Sequence, residues 1–192
     1  IRLNEMKSIH INFTNKNIND LIRINLNGNE VPHSNTAKYL GMTLDAKLKW
    51  KEHIKMKRSE LGLKYSKIYW LLGRQSQLSL DNKILIYKQI LKPVWTDGIQ
   101  LWGCSRTSNI SQIQTFQNKV LRNMLNAPWY IRNSDLHRDL HIPYVTCEIR
   151  RLAAHHESRL HQHDTTDVIP LLDSTELTRR LKRTKPFELV LC

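Results

Sequence analysis

The sequence predicts an α+β chain that is predominantly helical: a small antiparallel β unit at the N-terminus, then a helical bundle, then a C-terminal helical extension. Three observations carry this. Short alternating apolar runs broken by turn residues are confined to residues 1–45, as half-buried strands require. From residue 46 onward the apolar residues recur at steps of three, four and seven, the period of helices with one buried face. Positive charge is concentrated where the two patterns meet, since residues 47–92 hold twelve Lys and Arg against three acids, most of the net charge of +13. The corresponding divisions are 1–45, 46–126 and 127–192.

In the first division, Ile9, Ile11 and Phe13 alternate with Ser8, His10 and Asn12, which predicts a strand over 7–13. Ile22, Ile24 and Leu26 alternate again before Asn27-Gly28, a dipeptide suited to the positive φ angles of a tight hairpin. Val31 begins the return, and Pro32 restricts it to a short edge. A further strand is expected over 37–44, through Tyr39-Leu40-Gly41, giving three or four short strands that cannot stand alone.

One helix is expected over 46–72. It would place Trp50, Ile54, Leu61, Tyr65, Ile68 and Leu72 on one face and Lys47, Lys51, Lys55 and Arg58 in a second stripe. Gly73 reads as its stop, and Ser79 or Asp81 as the next N-cap. Pro93 lies inside the following pattern, so that helix should kink or end near Leu91 or Lys92. Ser108 or Asn109 should cap a helix lined by Ile110, Ile113, Phe116, Val120 and Met124. Asn133 or Ser134 should cap a short helix, and a last helix is expected over 146–162. The tail 179–185, rich in Lys and Arg, should be loosely held.

The composition excludes several classes. With 40 % hydrophobic and 24 % charged residues, disorder is not expected, and no apolar run approaches the length of a membrane span. An intracellular address and no membrane partner follow as expectations. The sequence pI near 9.9 points to an anionic partner, of which nucleic acid is the commonest. Along a helix, an i to i+4 step advances about 6 Å, so the Lys47, Lys51, Lys55, Arg58 stripe could follow successive phosphates. A solvated face is the plain alternative; the scarcity of acids favours a partner, because a solubilising face mixes both signs. Cys104, Cys147 and Cys192 are widely spaced with no C-x-x-C pair, and read as reduced thiols. Because it starts at Ile1 and enters an ordered pattern at once, the chain reads as a piece of something longer.

Candidate chemistry is sparse. His155, His156, His161 and His163 form a cluster, but His156-Glu157-Ser158-Arg159-Leu160-His161 is one residue too long for the H-E-x-x-H spacing that puts two imidazoles on one face. No metal site is expected. Of five tryptophans, Trp50, Trp95 and Trp102 fit apolar helix faces, whereas Trp70 and Trp129 are the candidates for stacking on bases. No glycine-rich phosphate loop is present, and no paired aspartates suggest two-metal phosphoryl transfer.

Several short motifs occur in a telling order: Leu3-Asn4-Glu5-Met6-Lys7-Ser8, then Lys38-Tyr39-Leu40-Gly41 with Leu44-Asp45, then Tyr87 through Trp95, Gly98 through Gly103, Gln114 through Arg122, and Ala127-Pro128-Trp129-Tyr130. Together they resemble the C-terminal part of the reverse transcriptase of jockey-like non-LTR retrotransposons. The resemblance implies that residues 1–45 are the last palm strands, 46–126 a helical thumb lying along the template–primer duplex, and 127–192 the extension behind it. It gives Lys7 the role of a cation on the pyrophosphate side, and Tyr39, Leu40 and Gly41 that of the primer grip. The basic stripe would hold the nucleic-acid backbone.

The same resemblance implies an RNA template and a DNA primer as partners, with the fingers and palm of the parent polypeptide. No cofactor is expected in this fragment, and Mg2+ is expected in the full-length polymerase. The nucleus is the implied place of action. The family's catalytic aspartates lie in motifs that this sequence does not contain, so catalysis by the fragment alone is not expected. A non-catalytic basic helical module or a degenerate element remnant is the rival reading, and a structural adaptor with incidental charge is a third.

Overall fold

A computed structural model describes residues 4, 7–14 and 23–162, and divides the chain into two compact units, 1–53 and 54–192. The basic tail over 179–185, His163 and Cys192 lie outside the described residues. The expected α+β class, predominantly helical with its strands at the N-terminal end, is what the structure has.

The first unit is built from two separate hairpins. Strands β1 (Asn25–Leu26) and β2 (Asn29–Glu30) pair antiparallel around Asn27-Gly28, whose φ values of 50° and 86° are both positive, as a two-residue type I′ turn demands. Val31 extends the return by donating its N–H to the Ile24 carbonyl (2.8 Å). The strand expected over 37–44 is instead a second hairpin, β3 (Thr36–Tyr39) with β4 (Met42–Asp45). Its turn is Leu40-Gly41, at φ 46° and 77°. The sequence disguises this turn because a branched residue occupies its first left-handed position, where Asn or Gly is usual. Residues 7–13 form no regular strand. Only His10 makes a bridge, to His33, its N–H bonding the Pro32 carbonyl at 3.0 Å. Alternation marks which side chains share a face, but a ladder also needs a partner edge, and Pro32 offers no N–H to it. Ile9 and Phe13 are half exposed as a result.

Helix α1 (Lys51–Leu72) starts later than expected. Residues 46–50 form a turn in which Leu48 and Trp50 take positive φ (47° and 62°), held by one side chain. The Asp45 carboxylate accepts from the backbone N–H groups of Lys47 (3.1 Å), Lys49 (3.0 Å) and Trp50 (2.8 Å). Trp50 is buried edge-on to His53, and the His53 Nδ1 accepts from the Thr43 N–H at 3.2 Å. Ile54, Leu61, Tyr65 and Leu72 are buried as the periodicity predicts.

Gly73 ends α1 with its N–H on the Tyr69 carbonyl (2.6 Å), and a Cβ there would lie 2.7 Å from that oxygen. Ser79 caps α2 (Leu80–Ile86) by accepting from the Asn82 N–H. Pro93 does not end the helical run in which it lies. A π-helical turn over Tyr87–Leu91 absorbs it, with the Lys92 N–H bonding the Tyr87 carbonyl five residues back, and α3 (Lys92–Thr96) continues. Such a bulge accommodates a ring that would clash in an unbroken α-helical ladder.

Helices α4 (Ile99–Trp102), α5 (Thr107–Met124), α6 (Asn133–Asp139) and α7 (Val145–His161) complete the second unit. Neither α5 nor α6 uses the expected side-chain cap; Arg106 and Arg132 occupy those positions through backbone alone. The five apolar positions predicted for α5 are all buried. α7 packs against α4 and α5, and α6 against α5. Cys104 is a thiol directed at the Leu101 carbonyl (3.2 Å), but Cys147 is disulfide-bonded, which corrects the expectation of three reduced cysteines: separation in sequence does not limit pairing in space.

Candidate nucleic-acid interface

The basic stripe expected on the first long helix is shorter than its four residues. Lys47 precedes the helix in the Asp45-capped turn, so it does not share the helical register of the others. Lys51 and Lys55 stand exposed on α1. Arg58 is half-buried, its guanidinium 4.7 Å above the Phe116 ring, a cation–π contact that fixes the group in place. At 100° per residue, Lys51, Lys55, Arg58, Gly62 and Tyr69 form one continuous flank of α1, and the acids Glu52 and Glu60 project elsewhere.

Four other cations of the 47–92 segment are engaged internally. Lys57 pairs with Asp97 (2.9 Å), Lys64 with Glu60 (3.2 Å) and Lys92 with Glu148 (2.7 Å), and Lys83 is buried with its ammonium on the Gly73 carbonyl. A count of basic residues along the sequence therefore overstates the charge offered to a partner; Lys51, Lys55 and Arg58, like Lys67, Arg74 and Lys88, enter no ion pair among the described residues.

Among the described residues the stacking candidates are the most exposed aromatics: Trp70 is 73 % and Trp129 89 % accessible. Trp70 lies fifteen residues beyond Lys55, about 22 Å along the helix, on an outer stripe with Met56 and Leu63. Trp129 meets Tyr130 edge-on on a connector that Arg122 holds from α5. The Arg122 guanidinium donates to the carbonyls of Pro128 and Ile131 and to Asn133 Oδ1 (2.9 Å). A clamped backbone can present a large ring to solvent without collapsing over it. Tyr39 and Leu40 are likewise exposed at the tip of the β3–β4 hairpin, and a Cβ on Gly41 would meet nothing within 4 Å. Lys7 is exposed, its N–H on the Asn4 carbonyl (3.2 Å). The structure thus brings Lys51, Lys55 and Arg58 together on one flank and gathers Tyr39, Leu40 and Gly41 at one tip.

Periodicity missed a buried polar system in the second unit. Glu148, 1 % exposed, receives Lys92 and two hydrogen bonds from Arg151 (2.6 and 3.3 Å). Burial alone would raise its carboxyl pKa, but Arg151 and Lys92 outweigh that and hold it below the usual range. Gln117 donates to the Tyr87 hydroxyl (3.0 Å) and the Pro143 carbonyl (3.1 Å), and burial pushes the Tyr87 phenol upward. His137 bonds the Ile142 carbonyl through Nδ1 and meets Gln114 and Asn118 through Nε2. Burial lowers its pKa against the opposing pull of that carbonyl. A glutamate followed at i+3 by arginine was the one local sign of this system. Among the described residues, no three His, Cys, Asp or Glu side chains converge as a metal would need, and no helix is long and apolar enough to cross a membrane.

No protein-family model matches the chain, and no solved structure matches it significantly. Curated proteins do. The chain is 42 % identical, over 83 % of its length, to the probable RNA-directed DNA polymerase from transposon X-element of Drosophila melanogaster, covering 18 % of that protein. It is 35 % identical over 95 % of its length to the probable RNA-directed DNA polymerase from transposon BS of the same fly, covering 20 % of it. To the RNA-directed DNA polymerase from mobile element jockey it is 34 % identical over 98 % of its length, covering 21 %. The chain therefore spans about a fifth of the length of the curated relatives it matches. Related along nearly all of its own length to one segment of each, the chain is homologous to one part of these jockey-like retrotransposon RNA-directed DNA polymerases.

Proposed function

We propose that this chain is the part of a retrotransposon RNA-directed DNA polymerase that grips the template–primer duplex. The observation that carries this is the flank of α1, where Lys51 and Lys55 stand exposed and Arg58 is fixed beside them on a rigid helix with its acids turned away. Contacts of this kind fall on phosphates and carry little sequence information. On this reading residues 46–126 act as the thumb and 127–192 as its extension. The exposed hairpin tip Tyr39, Leu40, Gly41 serves as the primer grip, its left-handed turn letting a nucleic-acid backbone come close. Lys7 supplies a cation near the leaving pyrophosphate, and Trp70 and Trp129 offer faces for unpaired bases.

On the same reading the Mg2+ of nucleotidyl transfer is held by the full-length polymerase. What this chain contributes is binding and orientation, with nucleotidyl transfer belonging to the longer polypeptide acting in the nucleus.

The test is the affinity of the chain for a short RNA–DNA hybrid across a salt series, beside the Lys51→Gln/Lys55→Gln variant. The expected log–log slope is about −4 for the parent and shallower by about two for the variant. A salt-indifferent parent, or a variant with the parent's slope, would sink the reading.

A further inference from the structure

The flank that begins at Lys51 and Lys55 runs into a cleft of about 480 Å³ between α1 and α5, lined by Arg58, Gly62, Tyr65, Tyr69, Phe116 and Lys119 among others. That volume lies in the range of small-ligand sites, about 300–1,000 Å³. We propose that this cleft is a seat for one phosphodiester of the bound strand, its phosphate held between Arg58 and Lys119 and its sugar lying over Gly62.

Four features of the cleft support this. Arg58 and Lys119 take no acidic partner among the described residues, so two positive charges face the same opening uncompensated. Arg58 is also pre-set, because the Phe116 ring beneath its guanidinium leaves the planar fork poised for the bidentate geometry that phosphate oxygens accept.

Tyr65 contributes a donor. Its hydroxyl, on a residue only 7 % exposed, accepts from the Asn123 amide at 2.6 Å, which leaves its own proton to donate. Burial raises the Tyr65 pKa, with the Asn123 bond opposing and Tyr69 adding, so the phenol keeps that proton.

Gly62 is the fourth. Glycine inside a helix costs about 1 kcal/mol relative to alanine, and here neither packing nor backbone demands it. A Cβ would meet only the Arg58 Nη1, at an ordinary 3.5 Å. What the missing side chain does provide is an open floor on which a sugar-phosphate backbone can approach the helix.

This inference rests on the duplex-gripping reading, and one experiment separates the two. Hybrid affinity across the salt series is measured for the parent, Lys51→Gln/Lys55→Gln, Gly62→Leu and Lys119→Gln, with thermal melting as the check on folding. Gly62→Leu fills the cleft without removing charge, and should weaken binding about tenfold at fixed salt. Lys119→Gln alters an exposed residue that carries no packing, and should make the slope shallower by about one. If Gly62→Leu melts early, Lys119→Gln decides alone. Parent-like affinity and slope in the cleft variants, with binding weakened in Lys51→Gln/Lys55→Gln, would overturn the cleft and leave the grip standing. A parent that binds without salt dependence would overturn both.

Discussion

Glu148 is a buried charge at the centre of the second unit's polar contacts. Its carboxylate is buried and draws α7 to the start of α3 through Lys92, with Arg151 closing the other side. Its removal deletes charge-assisted hydrogen bonds from a buried position while Lys92 and Arg151 regain solvent, so Glu148→Ala is expected to cost about 1.5–3 kcal/mol. The measurement is a urea titration, in which the midpoint falls and the slope is kept; an unchanged midpoint would mean that Lys92 and Arg151 recover their solvation at no cost. Nothing in the apolar spacing of residues 145–161 marks Glu148 as buried. It occupies a core-facing turn beside Ile149, and only the arrival of Lys92 from another helix makes that tolerable. Arg58, expected in the outward-facing basic stripe, lies over the Phe116 ring, a contact that only another helix could bring.

At the scale of elements, the junction between β4 and α1 hangs on one side chain. Three backbone N–H groups converge on the Asp45 carboxylate while Leu48 and Trp50 hold positive φ. Such conformations cost of order 1–3 kcal/mol and persist only where neighbours enforce them. Asp45→Ala should therefore destabilise the chain by about 1–2 kcal/mol, on the scale of a lost helix cap. It should also weaken hybrid binding though it removes no positive charge, since the turn carrying Lys47 loses its anchor. Chemical denaturation beside the salt series checks both, and full affinity in this variant would show that the turn plays no part in binding. The helices themselves were legible because their buried faces repeat every three to four residues, as Ile54, Leu61, Tyr65 and Leu72 do on α1. The β3–β4 hairpin was not, because Leu40 hides its turn. Nor was the π-helical turn before Pro93, because the proline signals only that a regular ladder must yield, and packing chooses how.

For the molecule as a whole, pH dependence follows from two buried groups whose pKa values are lowered in the fold. His137 lies below its ordinary 6.5 and Glu148 below its ordinary 4.5. The unfolded chain then binds more protons than the folded one, so stability falls with acidification. The His137 contribution is complete above about pH 6.5 and is lost as pH drops from there through its folded value; the Glu148 contribution follows below about pH 4.5. Thermal midpoints measured from about pH 8 down to pH 4 should decline in that order, and His137→Gln should remove the upper step. A midpoint flat between pH 7 and 5 in the parent would contradict the burial of a neutral imidazole.

By itself the sequence determined the class of fold, the helical faces, the Asn27-Gly28 hairpin and kinship with jockey-like polymerases. Those properties rest on local conformational preference, on periodic burial and on motif order, all of which are written along the chain. The tertiary structure alone decided which charges remain for a partner and where a cleft opens. Whether a lysine meets water, an acid or a carbonyl depends on what another helix brings to it, as Asp97 meets Lys57, Glu148 meets Lys92 and Phe116 underlies Arg58. Such meetings join residues far apart in sequence, and local spacing carries no record of them.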